Sequence, residues 1–232
     1  MIECSCCKCF KVYNSRRKWL RIKLHTERQD IECDGWKRLL ELVEIAAEDK
    51  REEFAPAREM KPDDWHQIIE LPPTILKLKF IKHLMLYGSN LVRIPPEIGE
   101  MTNLEKFTPY TSHRLHWFPY EITRCKLLKD STVSTRALYG NFKFRPPFPK
   151  LPVRETVEAG FPKKCSVCNA LIDASNIHQV WISLRVATDV LPLLVNACSK
   201  ACIDKLPRPP ENYIQQPHMG GLNIQQPSRD WF

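Results

Sequence analysis

Four of the chain's ten cysteines fall into two close pairs: Cys165 and Cys168 in "KCSVC", then Cys198 and Cys202 in "NACSKAC". The pattern is C-x2-C, a gap of 29 residues, then C-x3-C. Four thiolates match zinc's preference for a closed tetrahedral shell, and a structural zinc site takes all four ligands from the protein. A catalytic site would leave one position for water, but here every position is a cysteine. The nearest histidine, His178, lies ten residues beyond Cys168 in a stretch that alternates like a strand. The spacing therefore predicts a structural Zn2+ held by Cys165, Cys168, Cys198 and Cys202. Thiolate softness suits iron as well, so the metal's identity stays open. Two other readings also stay open: a redox dithiol at Cys165 and Cys168, and four unliganded thiols.

The elements around the pairs must bring them together. "HQVWISLRV" alternates like a strand, and "VLPLLVNA" reads as a second one. Ser199 fits a helix start, with "KACIDKL" placing the last cysteine one turn inside. Knuckle, hairpin and short helix in that order resemble a treble-clef zinc finger. The resemblance implies a small zinc-binding domain over 153–208. Such a segment is too small to rely on its apolar core alone. Metal binding, about 10–16 kcal/mol for zinc-finger peptides, would offset that deficit.

The remaining cysteines carry less. Cys4, Cys6, Cys7 and Cys9 crowd into "CSCCKC", where adjacent Cys6 and Cys7 cannot easily share one metal. A metallothionein-like site, palmitoylation beside "NSRRKW" and a plain reduced tail all stay open. Cys33 and Cys125 are isolated, and Cys125 is expected in the core.

Composition narrows the function classes. The 232 residues are 43% hydrophobic and 27% charged, ordinary for a globular protein. Only 7 glycines stand against 19 prolines, which argues against a glycine-rich nucleotide fold and for rigid extended turns. No run of 18 apolar residues exists, so no membrane span is expected. The N-terminus lacks a basic stretch followed by an apolar core, which predicts no secretory signal. A cytoplasmic location is expected, with thiols or metal ligands rather than disulfides.

The net charge of +8 is uneven. Residues 1–28 carry eight Lys/Arg and two acids, whereas 41–70 carry four bases and ten acids. Residues 71–152 return to thirteen bases against five acids. Such a basic segment could draw an acidic partner, nucleic acid included, or be the solvated outer face of a repeat.

Along the chain, "KWLRIKLHTE" alternates Leu20, Ile22 and Leu24 with basic residues and predicts a short strand. Asp34 is the expected N-cap of a helix with an apolar stripe of Trp36, Leu39, Leu40, Val43 and Ala47, ended by Pro56. "KPDDWHQIIELPP" predicts a second, short helix burying Trp65, Ile68 and Ile69. From Leu71 the pattern repeats. Counted from Leu71, Ile94 and Phe118, each unit has proline second: Pro72, Pro95 and Pro119. The fifth position is Ile75, Ile98 and Ile122; the eighth is Leu78, Met101 and Cys125; the eleventh is Ile81, Leu104 and Leu128.

This pattern resembles the leucine-rich repeat family, most closely in "LMLYGSNLVRIPPEI". Departures are Asn90, one place later than the family's asparagine, and Phe107, Pro109, Ser131 and Val133 where strand leucines are usual. The implied fold class is α/β: a short leucine-rich repeat solenoid of about three to four repeats, with a helical N-terminal cap and the small zinc domain. The organisation reads as a Cys-rich basic tail and strand at 1–30, a helical cap at 31–70 and repeats at 71–152. The zinc-binding domain at 153–208 and an extended Pro/Gln-containing tail at 209–232 follow. A short array needs both ends covered, which gives the helices and the finger a role.

In the family, residues flanking the inward strand leucines line the concave face. Here those are His83, Met85, Tyr87, Lys106, Thr108, Tyr110, Asp130, Thr132 and Ser134. They are candidate partner-binding residues, unless the caps or the tail cover them. The tail repeats I-Q-Q-P at Ile214 and Ile224, and is either a flexible arm or a strap over that face anchored by Tyr213, Trp231 and Phe232.

No phosphate-binding glycine loop, G-x-S-x-G or H-E-x-x-H is present, so no catalytic residue and no enzyme are expected. The function read from the sequence is a protein–protein interaction scaffold with another protein as partner. A nucleic-acid-binding zinc-finger protein is the alternative, weakened by eight bases against seven acids in 153–232. A thiol redox enzyme is the second alternative.

Overall fold

The structure is a computed structural model describing residues 24–151, 164–173 and 175–227. The expected strand at Leu20 and Ile22, the "CSCCKC" cluster and the aromatics Trp231 and Phe232 lie outside the described residues. Leu24, which is described, is not in a strand. The chain is mixed α/β and divides into two compact units. One takes residues 27–135 and 185–189; the other takes, among the described residues, 24–26, those within 136–184 and those from 190 onward.

In the first unit, helix α1 (Asp34–Glu48) begins one residue earlier than expected. Cys33, not Asp34, is the N-cap: it has extended backbone and its side chain accepts from the Trp36 N–H at 3.4 Å. The helix also stops well before Pro56, at Glu48, because Lys50 takes a left-handed conformation with φ of 52°. Glu53–Phe54 then form strand β1, which the charged run "EDKREE" concealed. The buried stripe is Gly35, Leu39, Leu42, Val43 and Ala46. It is rotated from the expected one, leaving Trp36, Leu40 and Ala47 half-buried.

Gly35 is on that stripe because helix α2 (Pro62–His66) crosses there. A Cβ at position 35 would lie 2.3 Å from the Asp64 carbonyl oxygen. Gly35→Ala is therefore expected to destabilise this unit by about 1–3 kcal/mol, the usual scale of overpacking against backbone. Urea denaturation read through helix signal checks it. α2 itself is one turn and a half, so Ile69 falls past its end and is half-buried, while Trp65 and Ile68 are buried.

Strands β2 (His83–Met85), β3 (Lys106–Thr108) and β5 (Asp130–Ser131) join β1 in a parallel sheet ordered β1-β2-β3-β5. A further two-residue strand, β4, spans Phe118–Pro119. The register is His83 with Lys106 with Asp130, and Leu84 with Phe107 with Ser131. Between strands run 3-10 turns at Pro73–Lys77, Pro96–Glu100 and Tyr120–Arg124, with Pro72, Pro95 and Pro119 as their N-caps. Proline suits that place because its fixed φ matches the extended cap and its missing N–H has no partner to lose. The twelve residues at the first, fifth, eighth and eleventh positions of the sequence pattern are all buried, from Ile75 at 0% exposed to Leu128 at 9%.

Close stacking of the turns leaves little room. A Cβ at Gly99 would meet the Glu121 carbonyl oxygen at 2.7 Å. Cys125 fills its eighth-position slot, and its thiol donates to the Ile98 carbonyl at 3.2 Å. Burial pushes that thiol's pKa up to about 12, so it stays a neutral packing group. At the sheet's far edge, residues 185–189 close on β5. The Ser131 N–H donates to Thr188 Oγ1 at 3.2 Å, and the Ser131 hydroxyl bonds Asp189 Oδ2 at 2.8 Å. These bonds satisfy an edge that would otherwise be an open template for pairing.

The second unit is built on the hairpin of β6 (His178–Val186) and β7 (Asp189–Ala197), followed by helix α3 (Lys200–Asp204). Both strands are longer and more apolar than any in the first unit. Trp181 is wholly buried among Tyr139 and Phe148, with ring centroids 5.9 and 5.8 Å away.

Candidate metal centre

The knuckle carrying Cys165 and Cys168 is shaped by its own backbone. The Asn169 N–H donates to the Cys165 carbonyl at 3.0 Å, and Asn169 takes φ of 62°, a region asparagine tolerates. The Cys165 N–H donates to the Ala170 carbonyl at 2.7 Å, closing the loop back on itself. Ser166, only 1% exposed, ties the knuckle to the end of β7. Its N–H donates to the Asn196 carbonyl at 2.7 Å, and its hydroxyl oxygen accepts the Asn196 N–H at 2.9 Å.

The second pair comes from the junction of β7 and α3. Ser199 is the helix N-cap, its hydroxyl accepting the Cys202 N–H at 3.3 Å. That cap sets α3 so that Cys202 points back over Cys198, with the sulfurs 3.6 Å apart. Cys198 and Cys168 sulfurs are also 3.6 Å apart. All four Sγ atoms lie within 4.8 Å of one another. A tetrahedron of sulfurs at the zinc–thiolate distance of about 2.3 Å has edges of about 3.8 Å, close to the two 3.6 Å separations here. The cysteines are free thiols, with no disulfide between them.

Electrostatics separate the four. At Cys165 burial opposes ionisation, but N–H groups of Cys168, Cys198 and Val167 aimed at its sulfur outweigh it. The thiol's pKa falls to about 7. Burial pushes Cys202 up to about 12, and a hydrogen bond from Cys168 raises Cys198. Crowded sulfurs without a cation cannot all ionise, because each thiolate repels the next. A divalent ion at the centre reverses that balance and holds all four as thiolates. Cys165 and Cys202 are buried, Cys198 is half-buried and Cys168 is exposed. The shell is thus most open to solvent at Cys168 and partly so at Cys198.

Among the described residues this is the one grouping of three or more His, Cys, Asp or Glu side chains able to hold a metal ion. His178 opens β6 and is not part of it. The Ser166–Asn196 lock was not legible beforehand, since neither residue type is diagnostic of a knuckle.

Of the other predicted site residues, His83, Met85, Lys106, Thr108 and Asp130 lie in the parallel strands, whereas Tyr87, Tyr110, Thr132 and Ser134 fall just past the strand ends. Leu84, Leu86, Phe107, Pro109, Ser131 and Val133 point inward and are buried, whereas the nine flanking residues are exposed or half-buried. Tyr87 and Tyr110 are 54% and 47% exposed, and their rings lie 6.0 Å apart. His83 is held between Glu53 Oε2 at 3.1 Å and Thr108 Oγ1 at 2.9 Å. Lys106 pairs with Asp130 at 3.4 Å. Met85, Thr132 and Ser134 complete the same surface, with Met85 beside Thr108 in register.

The basic residues of this unit are largely neutralised. Lys77 pairs with Glu44 at 2.7 Å, Lys79 with Glu100 at 3.4 Å, Lys82 with Glu52 at 2.6 Å and Arg93 with Glu70 at 3.3 Å. Arg114 pairs with Glu27 at 3.1 Å, and Lys129 pairs with Glu105. Exposed pairs of this kind add little stability, but they cancel the positive field that nucleic acid would need.

No helix among the described residues is long and apolar enough to cross a membrane. No protein-family model, curated protein or solved structure matches the chain.

Proposed function

We propose that the chain is a non-enzymatic protein-interaction module: a short array of leucine-rich repeats whose strand face binds another protein, together with a treble-clef-like finger held by a structural zinc ion. The repeat reading is supported by three 3-10 turns and their strands recurring at 23 and 24 residues, with equivalent positions buried each time. The observation carrying the binding role is the Tyr87–Tyr110 pair. Two large rings half-open to solvent on one face offer rigid amphipathic contact area, the kind that dominates interface energetics. Zinc is favoured over a redox dithiol at Cys165 and Cys168 because the sulfurs of both pairs, not of one pair alone, gather at metal-shell spacing. Free thiols fit a reducing compartment such as the cytoplasm.

The test is differential capture. A Tyr87→Ala/Tyr110→Ala variant keeps its fold, since both residues are exposed, yet is expected to lose a partner that the parent protein retains from its own cell extract. Loss of at least about 2 kcal/mol of binding, roughly thirtyfold, is the scale for interface aromatics. Equal capture by both proteins would refute the face. Salt-sensitive retention of RNA or DNA by both would favour the nucleic-acid reading instead.

A further inference from the structure

The C-terminal tail is fastened to the second unit by backbone bonds over 218–221, with side-chain bonds on either side, from Gln226 to the Arg145 and Pro146 carbonyls and from Arg145 to the Asn212 carbonyl. His218 and Trp181 exchange backbone bonds across the outer side of β6: Trp181 N–H to the His218 carbonyl at 2.8 Å, and His218 N–H to the Trp181 carbonyl at 3.1 Å. The Leu151 N–H donates to the Met219 carbonyl at 2.8 Å, and the Gly221 N–H to the Phe148 carbonyl at 2.9 Å. Gly220 makes this approach possible, with φ of 71° and a virtual Cβ only 2.1 Å from the Pro149 carbonyl oxygen. The tail is thus an added strand segment one bridge long, laid on an end strand of its sheet.

At the centre of this contact sits a titratable ring. The His218 imidazole stands edge-on to Phe148, centroids 4.6 Å apart at 82°. Its Nδ1 accepts the Gly220 N–H at 3.1 Å. An accepting Nδ1 carries no proton, so the bond exists only for the neutral ring with its hydrogen on Nε2. Protonation would turn that nitrogen into a donor facing a donor, and would place a charge in a largely buried site.

We propose that residues 217–221 form a proton-released strap over the outer edge of β6, with His218 as its latch. The charged groups on the elements around it are His178 and Arg185 of β6, Arg145 and Lys150 of the preceding segment, and Arg208 and Glu211 of the tail. None of these sets the ring's behaviour. Burial does, lowering its pKa from 6.5 to about 4. The folded-state pKa is depressed, so the contact is fully present above pH 6.5. It weakens as pH falls from there towards 4, where the released imidazole takes the proton the strapped one refuses. Release frees the Trp181 N–H and carbonyl on the β6 edge, groups that an extended peptide would pair with.

Hydrogen exchange read by mass spectrometry at pH 7 and pH 5, corrected for intrinsic rates, tests this. The reporters are the amides of Leu151, Trp181, His218 and Gly221. Opening at these amides is expected to rise roughly twenty-fold in the parent protein between the two pH values. His218→Asn keeps an acceptor for the Gly220 N–H but does not titrate; His218→Phe keeps a ring but cannot accept. Both variants carry the four cysteines, so any opening caused by acid release of metal is common to all three proteins. pH-independent opening in the two variants, whether low or high, beside a titrating parent supports the latch. A parent strap that stays closed at pH 5, or variants that open with the parent's pH dependence, overturns it.

Discussion

Replacing Cys165 by serine is expected to strip the 164–206 segment of its metal and its fold. Cys165 is wholly buried and its sulfur accepts the Cys198 N–H, so it joins the knuckle to the other pair even before a metal bridges them. Serine keeps the volume but offers a poor, hard ligand. The binding energy at stake is on the scale of about 10–16 kcal/mol for zinc fingers, comparable to the whole stability of a domain at about 5–15 kcal/mol. Exchange protection across β6 and β7 should collapse, while amides of β2 and β3 report on the other unit. Chelation of the parent protein should give the same result reversibly, and metal release should ease as pH falls, because protons and zinc compete for the same sulfurs. Metal-free protein with unchanged β6–β7 protection would defeat the structural site. It would return the cysteines to the redox or unliganded readings, and native mass spectrometry separates zinc from iron.

The second large effect lies in the repeats. Phe107→Ala should destabilise the 27–135 unit by about 3–5 kcal/mol, the range for a buried aromatic truncated to alanine. Phe107 is 0% exposed, flanked in register by Leu84 and Ser131, and its ring meets Phe118 edge-on at 5.8 Å. It sits mid-sheet, where neither neighbouring turn can collapse into the cavity. Thr108→Ala, one residue along on the outer face, should change stability by no more than about 0.5–1 kcal/mol, its hydroxyl bonding only His83. Guanidinium unfolding of the two variants distinguishes them. A Phe107→Ala loss below about 1 kcal/mol would mean that the unit's core is not continuous through β3.

The two predictions differ in how visible their residues were beforehand. The cysteine pairs stood out because metal ligation demands particular atoms at particular separations, and few other patterns imitate them. The repeat positions were equally plain: twelve apolar residues recurring at 23 and 24 residues leave one register, and all twelve are buried. Phe107, by contrast, occupied a position where leucine was expected, and only its burial between two strands reveals its weight.

Elsewhere local pattern misled. The α1 stripe was read through Trp36, Leu40 and Ala47, yet the helix buries Gly35, Leu42 and Ala46. Hydrophobicity alone cannot tell that α2's backbone passes against position 35, where only glycine fits. Strand β1 was hidden in a charged run, because a two-residue edge strand with one buried side chain needs no hydrophobic pattern of its own. Cys33 as N-cap was likewise invisible, since thiols rarely cap helices and Asp34 lay beside it.

The tail marks the boundary most clearly. Its I-Q-Q-P repeats and aromatics gave two options, arm or strap, and chain composition had no means to choose. Where it is described, it bonds along β6 through the backbones of His218 and Trp181, rather than to the repeat face that the strap reading expected. Residue types and spacing determined which sulfurs could share a metal and which positions would be buried, because those properties belong to periodicity and to donor chemistry. Only the tertiary structure decided the handedness of each contact: which edge the tail closes, which face of α1 is inward, and which N–H groups aim at Cys165. Those depend on where backbones cross, and backbone crossings leave almost no trace in side-chain type.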